Sequence, residues 1–165
     1  MIILEDTRQQ QHKHDVKHQW FDDNGIIVER CRLYVGDYTL PTNQSVCIDT
    51  KQSLTEIASN VTTDHERFRN ELIRAQNAGI KLIFLVEHGD GIECLEDIIF
   101  WENPRLHKVK TINGKRIEYT TKATTGETLY NILRTIMRKY GVEFRFCDKA
   151  ETGRKIVEIL TGGDG

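Results

Sequence analysis

The sequence predicts an α/β domain in which a mixed β-sheet is covered by helices. Three observations carry this. Short runs rich in β-branched and aromatic residues interleave with segments whose apolar residues recur at helical spacing. One run, Lys-Leu-Ile-Phe-Leu-Val-Glu at 81–87, is apolar almost throughout, as a strand buried on both faces requires. Glycines stand where helical patterns stop, at Gly25, Gly79 and Gly141.

The elements follow in order. Residues 1–4 form a short apolar run, read as a first strand. The polar segment 12–25 is read as a helix stopped by Gly25, and Ile26 to Leu33 as a second strand. Asp37 to Pro41 and Ser45 to Lys51 are two further strands joined by a turn-rich link, which makes a hairpin. Ser53 with Glu56, and Thr63 with Glu66, have the spacing of capping boxes that start two helices. Leu54, Ile57, Ala58 and Val61 form the apolar stripe of the first; Phe68, Leu72 and Ala75 form that of the second. After the buried strand at 81–87, residues 89–125 are irregular, with a hairpin turn at Asn113-Gly114. A helix carrying Leu129, Ile132, Leu133, Ile136, Met137 and Tyr140 on one face ends at Gly141. Val142, Phe144 and Phe146 alternate as a strand, and Ile156, Val157 and Leu160 belong to a last helix.

Composition bounds the function. The 165 residues fit one domain, 1–165, with an ordinary core. A formal net charge of -2 gives no global basic field, so any contact with nucleic acid rests on a local patch. The longest apolar run is too short to cross a bilayer, and the N-terminus lacks the basic region of a signal peptide. Cys31, Cys47, Cys94 and Cys147 show no paired spacing, so the expectation is a reducing intracellular compartment, cytoplasm or nucleoid, without a zinc cluster or disulfide framework.

The chemistry concentrates in Val35 to Leu54. Residues two apart on a strand share a face, so Asp49 and Lys51 lie together and Thr50 opposite. The short link can bring Asp37 alongside. Two carboxylates held close repel, and a divalent cation between them relieves this; oxygen ligands of this kind suit Mg²⁺ or Mn²⁺. A lysine beside such a cation can orient an attacking water or stabilise a phosphate. An ordinary strand-end ion pair with a turn aspartate fits the same spacing.

The wider pattern resembles the nuclease domain of the XPF family, structure-specific endonucleases of the PD-(D/E)xK superfamily. That family carries an early V-D-x-R-E, then V-G-D-Y, then E-R-K before a capped helix. Asp6 and Arg8 match the first motif, with Gln9 in place of its acid; Val35, Gly36, Asp37 and Tyr38 match the second in full. Asp49 and Lys51 match the third, with Thr50 where arginine is usual. Further on, Arg67, Phe68, Glu71 (in place of a glutamine), Arg74 and then Leu85-Val86-Glu87 follow the family order. The resemblance implies a restriction-endonuclease-like fold and a metal-dependent DNA endonuclease acting on branched or flap DNA. It implies Asp6, Asp37, Asp49 and Lys51 as catalytic, Asp37, Asp49 and Thr50 as the metal set, and Arg8, Arg67 and Arg74 as contacts to DNA. It also implies a homodimer through this domain, with the last two helices and strand 142–147 as the contact.

Two departures stand out. The family's acid four residues after the lysine is Thr55 here, with Glu56 one position late in the role of a capping acid. No tandem helix-hairpin-helix module is present in the sequence, which leaves the choice of DNA structure open. Outside the motifs, residues 107–122 hold Lys108, Lys110, Lys115, Arg116 and Lys122 against a single acid, Glu118, so Lys115 and Arg116 are further DNA-binding candidates and Tyr119 a stacking one. His14 and His18 have zinc-pair spacing without a third ligand, so a solvated helix face is the preferred reading. The alternatives to an active junction nuclease are a nuclease fold that only binds DNA or a partner protein, and a restriction-like nuclease of a mobile element.

Overall fold

The computed structural model describes residues 1–9 and 15–163. Strands β1 (Ile2–Asp6), β2 (Ile27–Cys31), β3 (Tyr38–Leu40), β4 (Asn43–Lys51), β5 (Lys81–Glu87) and β8 (Glu143–Cys147) form one sheet in the order β2-β1-β3-β4-β5-β8. β1–β2, β4–β5 and β5–β8 pair in parallel, while β3 runs antiparallel to both its neighbours, so the sheet is mixed as predicted. Strands β6 (His107–Ile112) and β7 (Lys115–Thr120) form a separate hairpin.

Among the described residues, five α-helices cover the sheet: α1 (Asp15–Asp23), α2 (Leu54–Thr62), α3 (His65–Asn77), α4 (Gly126–Tyr140) and α5 (Thr152–Thr161). Strand alternation divides the core in two. Cys47, Leu82, Phe84, Val86, Phe144 and Phe146 pack against α2, α3 and α4, whose buried residues are Leu54, Ile57, Phe68, Leu72, Leu129 and Leu133. Ile3, Tyr38, Ile48, Ile83 and Leu85 pack on the other face against Phe21 of α1 and Ile156, Ile159 and Leu160 of α5. β4 and β5 thus lie between two cores, which is why 82–86 is apolar throughout.

Several expectations are adjusted. The helix expected at 12–25 is described from Asp15 onward; His14 lies outside the described residues, and His18 is no solvated residue, since its Nε2 lies 2.7 Å from the buried carboxylate of Glu5. The second strand is shorter than 26–33 because its pairing with β1 ends where β1 does, at Asp6 opposite Cys31. Ser53 caps α2 by accepting from the Glu56 N–H at 3.2 Å, but the Glu56 carboxylate reaches back to the Gln52 N–H at 2.8 Å, not to Ser53. Thr63 starts no helix: it closes α2 through its N–H to Ser59 O, and α3 begins after Asp64. The expected hairpin is present, with positive φ at Asn113 (50°) and Gly114 (76°), as a tight two-residue turn requires. The stripe on α4 is largely spent on the chain's own core, Leu129 and Leu133 being buried and Ile136, Met137 and Tyr140 packed against the same cluster. Among the described residues no helix is long and apolar enough to cross a membrane.

Candidate active site

The site is built by a close approach of two backbones. Gly36 has φ of 71°, and a Cβ placed there would stand 2.9 Å from Ile48 O, so only glycine lets the chain lie this close to β4. The approach is fixed by the Asp37 N–H, which donates to Ile48 O at 2.7 Å, and by the Asp6 N–H, which donates to Asp37 O at 2.8 Å. It sets the Asp37 carboxylate over Thr50. One oxygen, Oδ2, accepts from both the N–H and the hydroxyl of Thr50, each at 2.8 Å, which fixes the carboxylate in one orientation.

On β4, Asp49 and Lys51 share the face toward α2 and α3, as strand periodicity predicts. Lys51 Nζ lies 2.6 Å from Asp49 Oδ1, and both side chains are nearly buried. Burial pushes the Asp49 carboxyl up; Lys51 opposes this, while the charges of Asp37 and Glu71 add to the rise, and the net lies well above the usual carboxylate range. Burial alone would lower the Lys51 ammonium, but Asp49 beside it, helped by Glu71 and Asp37, holds it above its ordinary value. One lysine therefore stands among three acids, an electrostatic deficit that a cation would fill.

An open cleft of about 420 Å³ joins these groups, lined by Asp37, Asp49, Thr50 and Lys51 together with Asp6, Arg8, Gln9, Gly36, Glu56, Arg67, Glu71 and Arg74. All the candidate site residues of the first three motifs and of α3 (Asp6, Arg8, Asp37, Asp49, Thr50, Lys51, Arg67 and Arg74) thus meet in one place; Lys115 and Arg116 do not, since they lie on the β6–β7 hairpin. Asp6 is buried, and both its oxygens are taken up: Oδ1 by the Arg8 N–H and Nε at 2.7 and 2.8 Å, Oδ2 by Arg8 Nη2 and the Leu33 N–H at 2.8 Å each. Burial raises its carboxyl, yet these donors outweigh burial and hold it below the usual range. In this arrangement Asp6 holds Arg8 in position. Arg74 is half-buried, and its Nε has no hydrogen-bond partner, an orphaned donor beside the cleft.

Two features escaped the sequence reading. Glu71, placed by the sequence only in the position of the family's glutamine, turns into the cleft and accepts from the Gly36 N–H at 3.3 Å, so it braces the glycine turn that presents Asp37. Its helical spacing from two arginines hid this. The second is a buried polar layer on the far face of β4. Lys17 of α1, only 3% exposed, pairs with Glu87 at 3.0 Å and reaches Thr50 Oγ1 at 3.3 Å. Since the Thr50 hydroxyl gives its single proton to Asp37, the lysine meets its lone pairs and fixes that direction. Beside it, Glu5 accepts from Tyr38 OH at 2.7 Å and pairs with His18 and Arg30.

The donor set fits a small hard cation: Asp37 and Asp49 offer carboxylate oxygens from adjacent backbones, and Mg²⁺ in particular binds through one or two carboxylates and retains water. Among the described residues no group of three or more His, Cys, Asp or Glu side chains is arranged to hold a metal alone. A cation here would therefore lean on the two aspartates and on water or substrate.

A mixed sheet in which β4 and the turn leading into β3 bring two carboxylates and a lysine into one arginine-rimmed cleft defines the class, a nuclease-fold α/β domain. The sequence profile of the ERCC4 domain matches residues 6–159, and the chain belongs to that family of nuclease domains. Among solved structures, XPF from Aeropyrum pernix superposes with a TM-score of 0.66 at 15% identity, over 99% of this chain and 65% of that one. XPF from Aeropyrum pernix in complex with DNA superposes with a TM-score of 0.63 at 15% identity, over 98% of this chain and 64% of that one. The chain thus spans somewhat less than two thirds of each, and at this identity the likeness concerns the fold. No curated protein matches the chain by sequence.

Proposed function

We propose that the chain is a divalent-metal-dependent endodeoxyribonuclease that hydrolyses phosphodiester bonds in branched or flap DNA. The observation that carries this reading is the convergence of Asp37, Asp49 and Lys51 in one cleft with Arg8, Arg67 and Arg74 around it. A Mg²⁺ or Mn²⁺ ion held by Asp37 and Asp49, with the Thr50 segment beside it, would supply Lewis-acid activation of water and charge neutralisation at the phosphate. Lys51 then carries the protein's own chemistry. Its ammonium, released from Asp49, donates hydrogen bonds to the attacking water or to a non-bridging oxygen and stabilises the extra charge at phosphorus. Hydrolysis adds the water oxygen to phosphorus, breaks the P–O bond and leaves the proton on the departing oxygen. Asp6 positions Arg8, and Arg8, Arg67 and Arg74 hold the DNA backbone; the orphaned Nε of Arg74 gains a phosphate oxygen as its partner.

The second reading is a nuclease fold retained for binding DNA or a partner. It is favoured by Thr55 at the family's acid position and by the small carboxylate donor set. Fluorescent flap, fork and linear duplex substrates, assayed with Mg²⁺, Mn²⁺ and chelator, separate the two. Metal-dependent cleavage of flap or fork, abolished by Asp37→Asn and Asp49→Asn without loss of folding, is the expected result. Cleavage of none supports the binder, and equal cleavage of all supports a restriction-like enzyme of a mobile element. We include homodimerisation in the proposal. It rests on β8, the last strand of the sheet, with an unpaired edge; light scattering showing only the 19.2 kDa monomer removes it.

A further inference from the structure

The β6–β7 hairpin stands apart from the six-stranded sheet, and all its strand residues are exposed. Its register sorts them. Lys108 pairs with Tyr119, Lys110 with Ile117 and Ile112 with Lys115, so these six share one face; His107, Val109, Thr111, Arg116, Glu118 and Thr120 make up the other. The adjacent Lys115 and Arg116 therefore point in opposite directions. The first face carries three lysines and no acid, and Ile112, Ile117 and Tyr119 remain 41–43% exposed between them. Lys110 Nζ lies 5.3 Å from the Tyr119 ring centre, so this cation lies over the apolar strip.

The base of the hairpin is fixed firmly. The Thr121 N–H donates to Leu106 O at 2.7 Å, the Thr121 hydroxyl to Arg105 O at 2.6 Å and Asn103 Nδ2 to Thr124 O at 2.8 Å. Arg105 Nη1 then donates to Ser59 Oγ of α2 at 2.7 Å. Ser59 lies one helical turn beyond Glu56, which lines the cleft, so the hairpin is rooted about 5 Å along α2 from the candidate active site. An isolated two-stranded hairpin is marginal in water, and leaving its apolar residues exposed adds to that.

We propose that this hairpin is a wing that grips the phosphate backbone of the duplex arm leaving the cleft, through Lys108, Lys110 and Lys115 with Tyr119 against the sugars. The proposal rests on the nuclease reading above. Charge complementarity selects the occupant: from residue 108 to 112 the face extends about 14 Å, and that length of duplex carries about eight phosphates, ample for three ammonium groups. The apolar strip between the lysines suits the sugar rims rather than free solvent.

The test measures binding of a labelled duplex and a labelled flap by fluorescence anisotropy, in chelator so that nothing is cut, across a salt series. Each phosphate contact contributes about 0.9 to the salt slope. K108A/K110A/K115A is expected to lower the slope by about 0.9 to about 2.7 and the affinity at 0.1 M salt by about 8-fold to about 500-fold. R138A/K139A/K149A, which removes the same charge from the end of α4 and the segment after β8, is expected to leave the slope unchanged. A smaller effect of the hairpin triple, or an equal effect of both triples, overturns the wing. Wild-type protein that binds and cuts DNA alongside an unaltered hairpin triple sinks the wing alone, whereas wild-type protein that neither binds nor cuts any substrate sinks the nuclease reading and the wing with it.

Discussion

Lys17 is the sharpest point at which to break the support beneath the site. Its ammonium and the Glu87 carboxylate are 3.0 Å apart, with side chains 3% and 4% exposed. At an effective dielectric constant of 20 their attraction is about 5.5 kcal/mol, most of it offset by the cost of removing both charges from water. Lys17→Met keeps the volume but leaves Glu87 buried beside Cys147 and Thr50 without its cation. Breaking one side of a buried pair costs about 3–5 kcal/mol. With a urea slope of about 2 kcal/mol/M, the unfolding midpoint falls by about 1.5–2.5 M. K17M/E87M removes both charges, and its stability is expected to return to within about 1 kcal/mol of wild type. That variant then isolates positioning from stability. The Thr50 hydroxyl has lost the donor that fixed its direction toward Asp37, so calorimetric Mn²⁺ affinity falls about fivefold, the worth of one ordinary hydrogen bond. A single variant within 1 kcal/mol of wild type, or a double variant as unstable as the single, would refute the reasoning.

If the proposed function holds, Lys51→Ala is expected to lose at least about 100-fold in turnover, since it removes the charge proposed to act at the phosphate, while binding Mn²⁺ at least as tightly as wild type, because a metal on Asp49 would compete with Lys51, which contacts Asp49 Oδ1 at 2.6 Å. Weaker metal binding by calorimetry would make the lysine a scaffold. Gly36→Ala meets both a positive φ and Ile48 O at 2.9 Å, whereas Gly114→Ala meets a positive φ and open space; the first is expected to cost about 2–4 kcal/mol in denaturant melts and the second about 1. Equal costs would mean that the backbone approach at Gly36 is not tight. Asp6 and Glu5 are both held below the ordinary carboxylate range, burial being outweighed by Arg8 and Leu33 for the one and by His18, Tyr38 and Arg30 for the other. Their contribution is therefore present above the unfolded value of about 4 and is lost as pH falls below it, so Asp6→Asn should flatten the acid limb of stability below about pH 4 and lower stability at neutral pH.

Local rules carried much of the fold. The glycine stops at Gly25, Gly79 and Gly141 each fall at a left-handed position, the Asn113-Gly114 turn forms, and period-two alternation correctly paired Asp49 with Lys51. Sheet order was not legible, because β3 sits between β1 and β4 through pairings that no local pattern encodes. The Thr63 and Glu66 spacing misled for a physical reason: a hydroxyl and an acid three apart fit a cap, but Thr63 was already committed to closing α2. The site was legible where residues one strand period apart act together. It was hidden where the partner comes from elsewhere in the chain: Glu71 reads as a solvated acid until α3 lies over Gly36, and Lys17 as a surface lysine until α1 packs it against Glu87.

These two hidden groups also explain how so charged a cleft can exist at the middle of a sheet. Asp37 is held from three directions: by the Gly36 backbone lying on β4, by Glu71 bracing that glycine from α3, and by the Lys17–Thr50 contact from the opposite face. None of these braces requires a metal, so the carboxylate's orientation is fixed before any cation binds. Asp49 differs, since among the described residues its one ion-pair partner is Lys51 and burial drives its carboxyl up. Under the proposed function, the arrangement therefore pairs one rigid acid with one that would exchange its lysine partner for an incoming cation. Preorganisation lies with Asp37 and the electrostatic response with Asp49. That division makes the two aspartates inequivalent: exchanging Asp49 for asparagine removes a carboxylate that burial, Asp37 and Glu71 all disfavour, and Lys51 keeps Asp37 and Glu71 as nearby counter-charges, so it should cost less than breaking the Lys17–Glu87 pair, whereas exchanging Asp37 for asparagine turns one hydrogen-bond acceptor of Thr50 into an amide and should loosen the turn as well. Thermal melts of the two variants without metal read the difference directly, and a D49N protein clearly less stable than D37N would show that the lysine pair, not the glycine turn, holds this site together.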